Sequence, residues 1–150
     1  MAKMQKIANY LLILMVIFCQ SESVISQNLY AAEKPTTKLG QNIKAVFHVD
    51  ELAKWGLALT NIENALNEIG NNADIELVAN AEAVKGYIDP SLLDKMTDLA
   101  SRGVIFVACH NALNNFKIDV ASLPVFVKIV SAGVIEIIEK ENNGYAYVKP

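Results

Sequence analysis

The stretch at residues 103–111 constrains the fold of this chain more than any other. Its sequence, Gly-Val-Ile-Phe-Val-Ala-Cys-His-Asn, is apolar and rich in β-branched residues until it stops at a thiol, an imidazole and an amide. A short run of this kind is typical of a strand buried on both faces, as in the centre of a parallel sheet. In open parallel sheets, ligands and chemistry gather beyond the carboxyl ends of the strands. Cys109, His110 and Asn111 are therefore candidate functional residues.

Strand-like and helix-like patterns alternate along the rest of the chain. Apolar residues recur at steps of three and four from Trp55 to Ile69, which predicts a helix after a first strand at 43–49, with Asp50 as its N-cap. Asp89-Pro90 predicts the start of a second helix. Residues 134–140 suit a strand by composition, but the need for a crossover favours a helix. The alternation predicts an α/β fold, a three-layer α/β/α domain with a mostly parallel five-stranded sheet.

The first residues have the order of charges and apolar side chains found in secretory signal peptides. Lys3 and Lys6 precede an apolar run at 7–19, and polar residues follow it. This run would span roughly 20 Å as a helix, short of the roughly 30 Å of a bilayer core, so we expect no permanent membrane span. We predict a signal peptide at 1–26, with cleavage as late as 32, a flexible lead-in at 27–41 and one domain at 42–150. The protein is then exported and periplasmic, and Cys109 is its single cysteine once Cys19 is removed.

Composition and motifs exclude several classes of function. The formal net charge is -3 and the basic residues form no cluster, so the chain has no basic patch for binding a nucleic-acid backbone. The chain has no Gly-rich phosphate-binding motif and no spacing of Cys and His typical of zinc sites. We therefore expect neither a cofactor nor a metal.

A reactive cysteine needs a site that favours the thiolate, because an ordinary thiol has a pKa of about 8.5 and is mostly protonated at neutral pH. His48 lies near the carboxyl end of the first predicted strand. In a 2-1-3 strand order, that strand and the strand of Cys109 would be neighbours. We therefore predict Cys109 as the catalytic residue, with His48 and Asn111 in supporting roles, while an inert buried thiol remains the alternative.

Four stretches of the chain, taken in order, together indicate one family. They are Val46-Phe47-His48-Val49, Leu59-Thr60-Asn61-Ile62-Glu63-Asn64, residues 103–111 and Gly144-Tyr145-Ala146-Tyr147-Val148-Lys149-Pro150. With these stretches the chain resembles the DsrE/DsrF-like family over about residues 43–150. The resemblance implies a three-layer α/β fold that assembles into trimers or hexamers. It also implies that a cysteine after the central strand carries a persulfide in sulfur-relay members, and Cys109 aligns with that cysteine.

Two hypotheses of different classes follow. In the first, the protein is a persulfide carrier of a sulfur relay, in which Cys109 accepts sulfur and passes it to an acceptor protein or small thiol. In the second, it is a non-catalytic, exported, oligomeric binding module whose Cys109 is a packing residue. Accessibility of the thiol in the folded protein separates the two.

Overall fold

The computed structural model describes residues 42–70 and 73–150. The predicted signal peptide at 1–26, the lead-in at 27–41 and Cys19 lie outside these residues. Five strands, all parallel, form one sheet in the spatial order β4-β3-β2-β1-β5. The strands are β1 (Ile43–Val49), β2 (Ala73–Ala79), β3 (Ile105–Cys109), β4 (Val127–Val130) and β5 (Ala146–Val148).

The strand order corrects one prediction. Instead of 2-1-3, β2 lies between β1 and β3, because each crossover from β1 to β4 adds the next strand beside the previous one. Only the last connection returns to the other edge, where β5 pairs with β1. His48 and Cys109 therefore end strands that are not neighbours.

In the described part of the chain, four α-helices cover the sheet and confirm the predicted α/β class. The larger core lies on one face, where residues such as Phe47, Leu77 and Phe106 pack against α1 and α2. Since alternate residues of a strand face opposite sides, Val46, Val78 and Val107 point to the other face, under α4. The helices are α1 (Trp55–Ile69), α2 (Pro90–Ser101), α3 (His110–Asn115) and α4 (Gly133–Asn142).

The structure confirms one of the two predicted helix N-caps and contradicts the other. The Asp89 carboxylate accepts a hydrogen bond from the Ser91 main-chain N–H at 2.9 Å, and Pro90 begins α2 as predicted. Asp50 does not cap α1, because a 3-10 turn at Leu52–Lys54 separates the two. Asp50 instead accepts a hydrogen bond from Lys149 Nζ at 2.5 Å, and this bond holds the pKa of the Asp50 carboxyl below its usual value.

A 3-10 segment at Ala81–Ile88, which sequence patterns did not predict, connects β2 to α2. Its Tyr87 is buried, and the Tyr87 hydroxyl donates to the Val107 main-chain oxygen at 2.9 Å. This bond ties the segment to β3 two residues before Cys109. Within 42–70 and 73–150, no helix is long and apolar enough to cross a membrane.

Candidate functional site

Cys109 lies at the junction of β3 and α3, at the carboxyl edge of the sheet. It is the last residue of the strand and occupies the N-cap position of α3. The side chain forms no disulfide within residues 42–70 and 73–150 and is only 6% exposed. The Asn111 main-chain N–H, two residues further on, donates to the Ser131 main-chain oxygen at 3.3 Å and so ties this junction to the loop before α4. The thiol is therefore in the expected place but is covered.

His48 is held by hydrogen bonds from both sides. His48 Nε2 lies 3.0 Å from Asn80 Oδ1, and His48 Nδ1 lies 2.7 Å from the Tyr147 hydroxyl. Because an amide oxygen only accepts, Nε2 carries the proton, and in the neutral ring Nδ1 accepts from the Tyr147 O–H. The imidazole is thus oriented by the neighbouring strands on either side of β1.

Asn80 stands between His48 and Cys109. Ala79 pairs with Ala108, so the next residues, Asn80 and Cys109, lie side by side on the face that α4 covers. Both are next to Gly133, the first residue of α4: a Cβ added there would lie 3.3 Å from Asn80 Cβ and 3.2 Å from Cys109 Cβ. The order across the edge is therefore Tyr147, His48, Asn80, Cys109.

The supporting residues predicted from sequence do not reach the thiol in the way expected. Both ring nitrogens of His48 are bonded to other side chains, and β2 separates its strand from that of Cys109. His110 is exposed, with its Nδ1 3.3 Å from Asn114 Nδ2 on the next turn of α3. Asn111 is exposed at the start of the same helix. Supporting roles for His48 and Asn111 remain predictions, but a direct contact between His48 and Cys109 is not formed.

A cluster of charges lies below this edge, between α4 and the sheet. Glu76 on β2 is fully buried, and Lys140 Nζ lies 2.6 Å from its Oε2. The two groups form an ion pair, but their angles do not meet the geometry of a hydrogen bond. Glu136 is also buried and pairs with Lys128 at 3.3 Å and Lys140 at 3.8 Å. Burial raises the pKa of the Glu76 carboxyl, an effect that Lys140 opposes and Glu136 reinforces.

A separate cavity of about 470 Å³ opens on the surface near the start of α2. It is mainly apolar, is bordered by Tyr87, Leu93 and Leu123 among others, and shares no lining residue with the edge at Cys109. In the part of the chain that the structure describes, no three His, Cys, Asp or Glu side chains come together as ligands for a metal ion.

Sequence reasoning missed Asn80 and Tyr147. Asn80 directly follows a buried strand, which is the same signal that selected Cys109, and it could have been found in that way. Tyr147 approaches His48 only because β5 returns to pair with β1. Nothing local in the sequence indicates that pairing.

Comparison with known proteins identifies the class to which this parallel α/β fold belongs. The model of the DsrE/DsrF-like family matches residues 15–150. The chain therefore belongs to the DsrE/DsrF-like family, which is a family of the general sulfur-relay type.

Solved structures agree with this assignment. The protein of unknown function MTH1491 from Methanobacterium thermoautotrophicum is 30% identical over 72% of this chain and 99% of its own, with a TM-score of 0.67. The ychN protein from E. coli is 18% identical over 73% of this chain and 99% of its own, with a TM-score of 0.58. BT1422 from Bacteroides thetaiotaomicron, also of unknown function, is 16% identical over 73% and 96%, with a TM-score of 0.58. The last two share the fold alone. No curated protein matches the chain.

Proposed function

We propose that this protein is a persulfide carrier in which Cys109 accepts a sulfur atom and passes it to an acceptor thiol. The observation that supports this most is the position of Cys109, which ends the central part of a parallel sheet at its carboxyl edge in a chain of the DsrE/DsrF-like family. Chemistry in such sheets gathers at that edge. The role is that of a carrier between a donor and an acceptor.

The transfer needs no external oxidant. The Cys109 thiolate attacks the terminal sulfur of a donor persulfide, the sulfur–sulfur bond of the donor breaks, and the donor leaves as a thiolate. Cys109 then holds the extra sulfur as its own persulfide. An acceptor thiolate attacks that terminal sulfur in turn, and Cys109 leaves as a thiolate. Each step exchanges one sulfur–sulfur bond for another.

A polar edge suits such an exchange. Asn80 is the neighbour of Cys109 along this edge, and its side-chain oxygen accepts a hydrogen bond from His48. Asn80 Nδ2 is an N–H donor of the same amide, and N–H donors stabilise a thiolate that is formed or released next to them. His48 supports the site by orienting Asn80 rather than by touching sulfur.

Incubation of the folded protein with glutathione persulfide should add the mass of one sulfur atom to Cys109. The adduct should be located at Cys109 by peptide mass spectrometry, should be removed by dithiothreitol, and should pass to an added small thiol. Cys109→Ser should carry no adduct. Sulfide without an oxidant is the matched control and should add nothing, because it supplies no sulfur at the persulfide oxidation level.

The alternative function is that of an oligomeric binding module. It is favoured by the 6% exposure of Cys109 and by apolar side chains at the surface, such as Leu57 and Leu93. A folded protein that forms no persulfide at Cys109, under conditions in which a maleimide does label that thiol, would support this second function and contradict the first.

We further propose that the protein is exported and works as a homo-oligomer, a trimer or a hexamer. The basic and apolar pattern of residues 1–26 supports export. Expression of the full chain in a Gram-negative host should yield a periplasmic protein that begins at a residue between 27 and 33, as read from its intact mass, and light scattering should give its assembly size. A cytoplasmic product that retains Met1 or Ala2 as its first residue would contradict export.

A further inference from the structure

Sulfur transfer and the position of Cys109 impose conflicting demands. A carrier cysteine must be reached by both a donor and an acceptor, yet Cys109 is 6% exposed. Gly133, at the start of α4, lies against Cys109, since a Cβ added to this glycine would be 3.2 Å from that of Cys109. The first turn of α4 therefore packs directly against Cys109 and contributes to its cover, together with the larger apolar cluster to which Cys109 belongs.

The apolar contacts of α4 with the sheet are few. Ile137 is the apolar side chain that the helix buries, and it packs on Val46, Val78 and Val107. Other apolar side chains of α4 face solvent, with Val134 56% and Ile138 48% exposed. On the opposite face, by contrast, α1 and α2 share a much larger apolar core. Hydrophobic burial thus anchors α4 weakly compared with the other long helices.

Charges take the place of apolar contacts under α4. The helix turns Glu136 and Lys140 inward, where Lys140 meets Glu76 on β2 and Glu136 meets Lys128 on β4. The Lys140 ammonium also lies 5.0 Å from the centre of the Tyr145 ring, just before β5. Glu76 Oε1 has no hydrogen-bond partner among residues 42–70 and 73–150. Buried ion pairs contribute little net stability because desolvation offsets their attraction.

We propose that α4 is a lid over Cys109 that closes only while the buried charges of Glu76, Lys140, Glu136 and Lys128 neutralise one another, and that it opens locally to admit sulfur donors and acceptors. This inference rests on the proposed carrier function and adds the regulation of its site. Elements with few buried apolar contacts open at a lower free energy than the global fold. The core formed by α1, α2 and the sheet remains closed while α4 moves.

Labelling of Cys109 by N-ethylmaleimide tests the lid in the folded protein. The rate at Cys109, followed by peptide mass spectrometry, should be almost independent of urea at concentrations below the unfolding transition, because a local opening exposes little surface. Amide exchange in α4 should show the same weak dependence on urea. These measurements need no substitution, so they stand even if a variant fails to fold.

Variants of the ion pairs provide the second arm. Lys140→Met leaves Glu76 buried without its cation, so labelling should become at least about tenfold faster. The double variant Glu76→Met with Lys140→Met replaces the pair by apolar side chains of similar length, and its labelling should return to or fall below the rate of the unchanged protein. Lys95→Met, which breaks a half-exposed pair with Glu63 on the other face, is the matched control and should change the rate less than about twofold.

The lid is overturned if labelling of Cys109 accelerates with urea in parallel with global unfolding. It is equally overturned if Lys140→Met labels at the unchanged rate, or if the double variant labels as fast as Lys140→Met. Maleimide labelling measures access to the Cys109 thiol and not its sulfur chemistry. A result that contradicts the lid is therefore distinguishable from one that contradicts the carrier function. Rapid labelling through local opening, without persulfide formation, would support the lid and contradict the carrier function.

Discussion

Replacing Lys140 by methionine should lower the free energy of unfolding by about 3 kcal/mol at pH 8. Glu76 lies at the centre of the sheet, fully buried, and the Lys140 ammonium 2.6 Å away is its closest ion-pair partner. Removing one partner of a buried pair typically costs about 3 to 5 kcal/mol, because a charge remains in a medium of low polarity. Urea unfolding followed by circular dichroism measures the change.

The loss should shrink as the pH falls. Burial raises the pKa of Glu76 in the folded protein, so at a pH between the unfolded and folded pKa values the folded state holds a proton that the unfolded state has released. Stability from this group is therefore present below about pH 4.5 and is lost as the pH rises through the folded pKa. Without Lys140, the pKa rises further and protonation relieves more of the cost. The charged groups that act on Glu76 are Lys140 and Glu136, both on α4. Glu136 is in turn paired with Lys128 on β4, and the Tyr145 hydroxyl donates to Asp74 on β2 at 2.6 Å.

Two results would contradict this account of the buried pair. One is a Lys140→Met protein as stable as the unchanged protein at pH 8. The other is a loss that is the same at pH 5 and pH 8. The Glu76→Met, Lys140→Met double variant should regain most of the lost stability at pH 8, since neither charge remains under α4.

Gly86→Ala should lower the free energy of unfolding by about 3 kcal/mol, at the upper end for overpacked cores. A Cβ at this position would overlap the indole ring of Trp55, with the Cδ1 atom only 2.6 Å away. The ring cannot move aside without loss: Trp55 is 1% exposed, its Nε1 donates to the Ala83 main-chain oxygen at 2.8 Å, and it packs edge-on against Tyr87.

Gly56→Ala is the matched control for Gly86→Ala. Gly56 lies on α1 next to Trp55 in the chain, is exposed, and a Cβ there meets no atom within 4 Å. Alanine in an exposed helix should stabilise the protein by about 0.5 to 1 kcal/mol. Equal effects of the two substitutions in thermal unfolding would show that the space around Trp55 is not as tight as described.

Local patterns predicted the elements of the fold well. The strand predicted at 43–49 is β1, the stripe from Trp55 to Ile69 is α1, and the Asp89-Pro90 signal begins α2. Each of these depends on residues close in sequence, such as a cap, a helical period or an apolar run bounded by polar residues. The position of Cys109 at the end of β3 followed from the same local reasoning.

Long-range features were not accessible in that way. The strand order depends on which edge each crossover reaches, and the placement of His48 relative to Cys109 depended on that order. The contacts of α4 were hidden for another reason, since the helix buries Glu136 while it exposes Val134 and Ile138. Apolar periodicity alone would place the exposed apolar side chains of such a helix against the sheet and its buried charges in solvent.

The pairing of β5 with β1 sets the order in which the chain can be assembled during synthesis. Strands β1 to β4 occupy adjacent places in chain order, so each can join the growing sheet as it emerges from the ribosome. β5 alone must travel back, and Tyr147 reaches His48 across 99 residues. The row of Tyr147, His48 and Asn80 beside Cys109 is thus completed only when β5 has paired with β1, and a chain in which β5 is not yet made or is detached would carry the thiol without its finished surroundings.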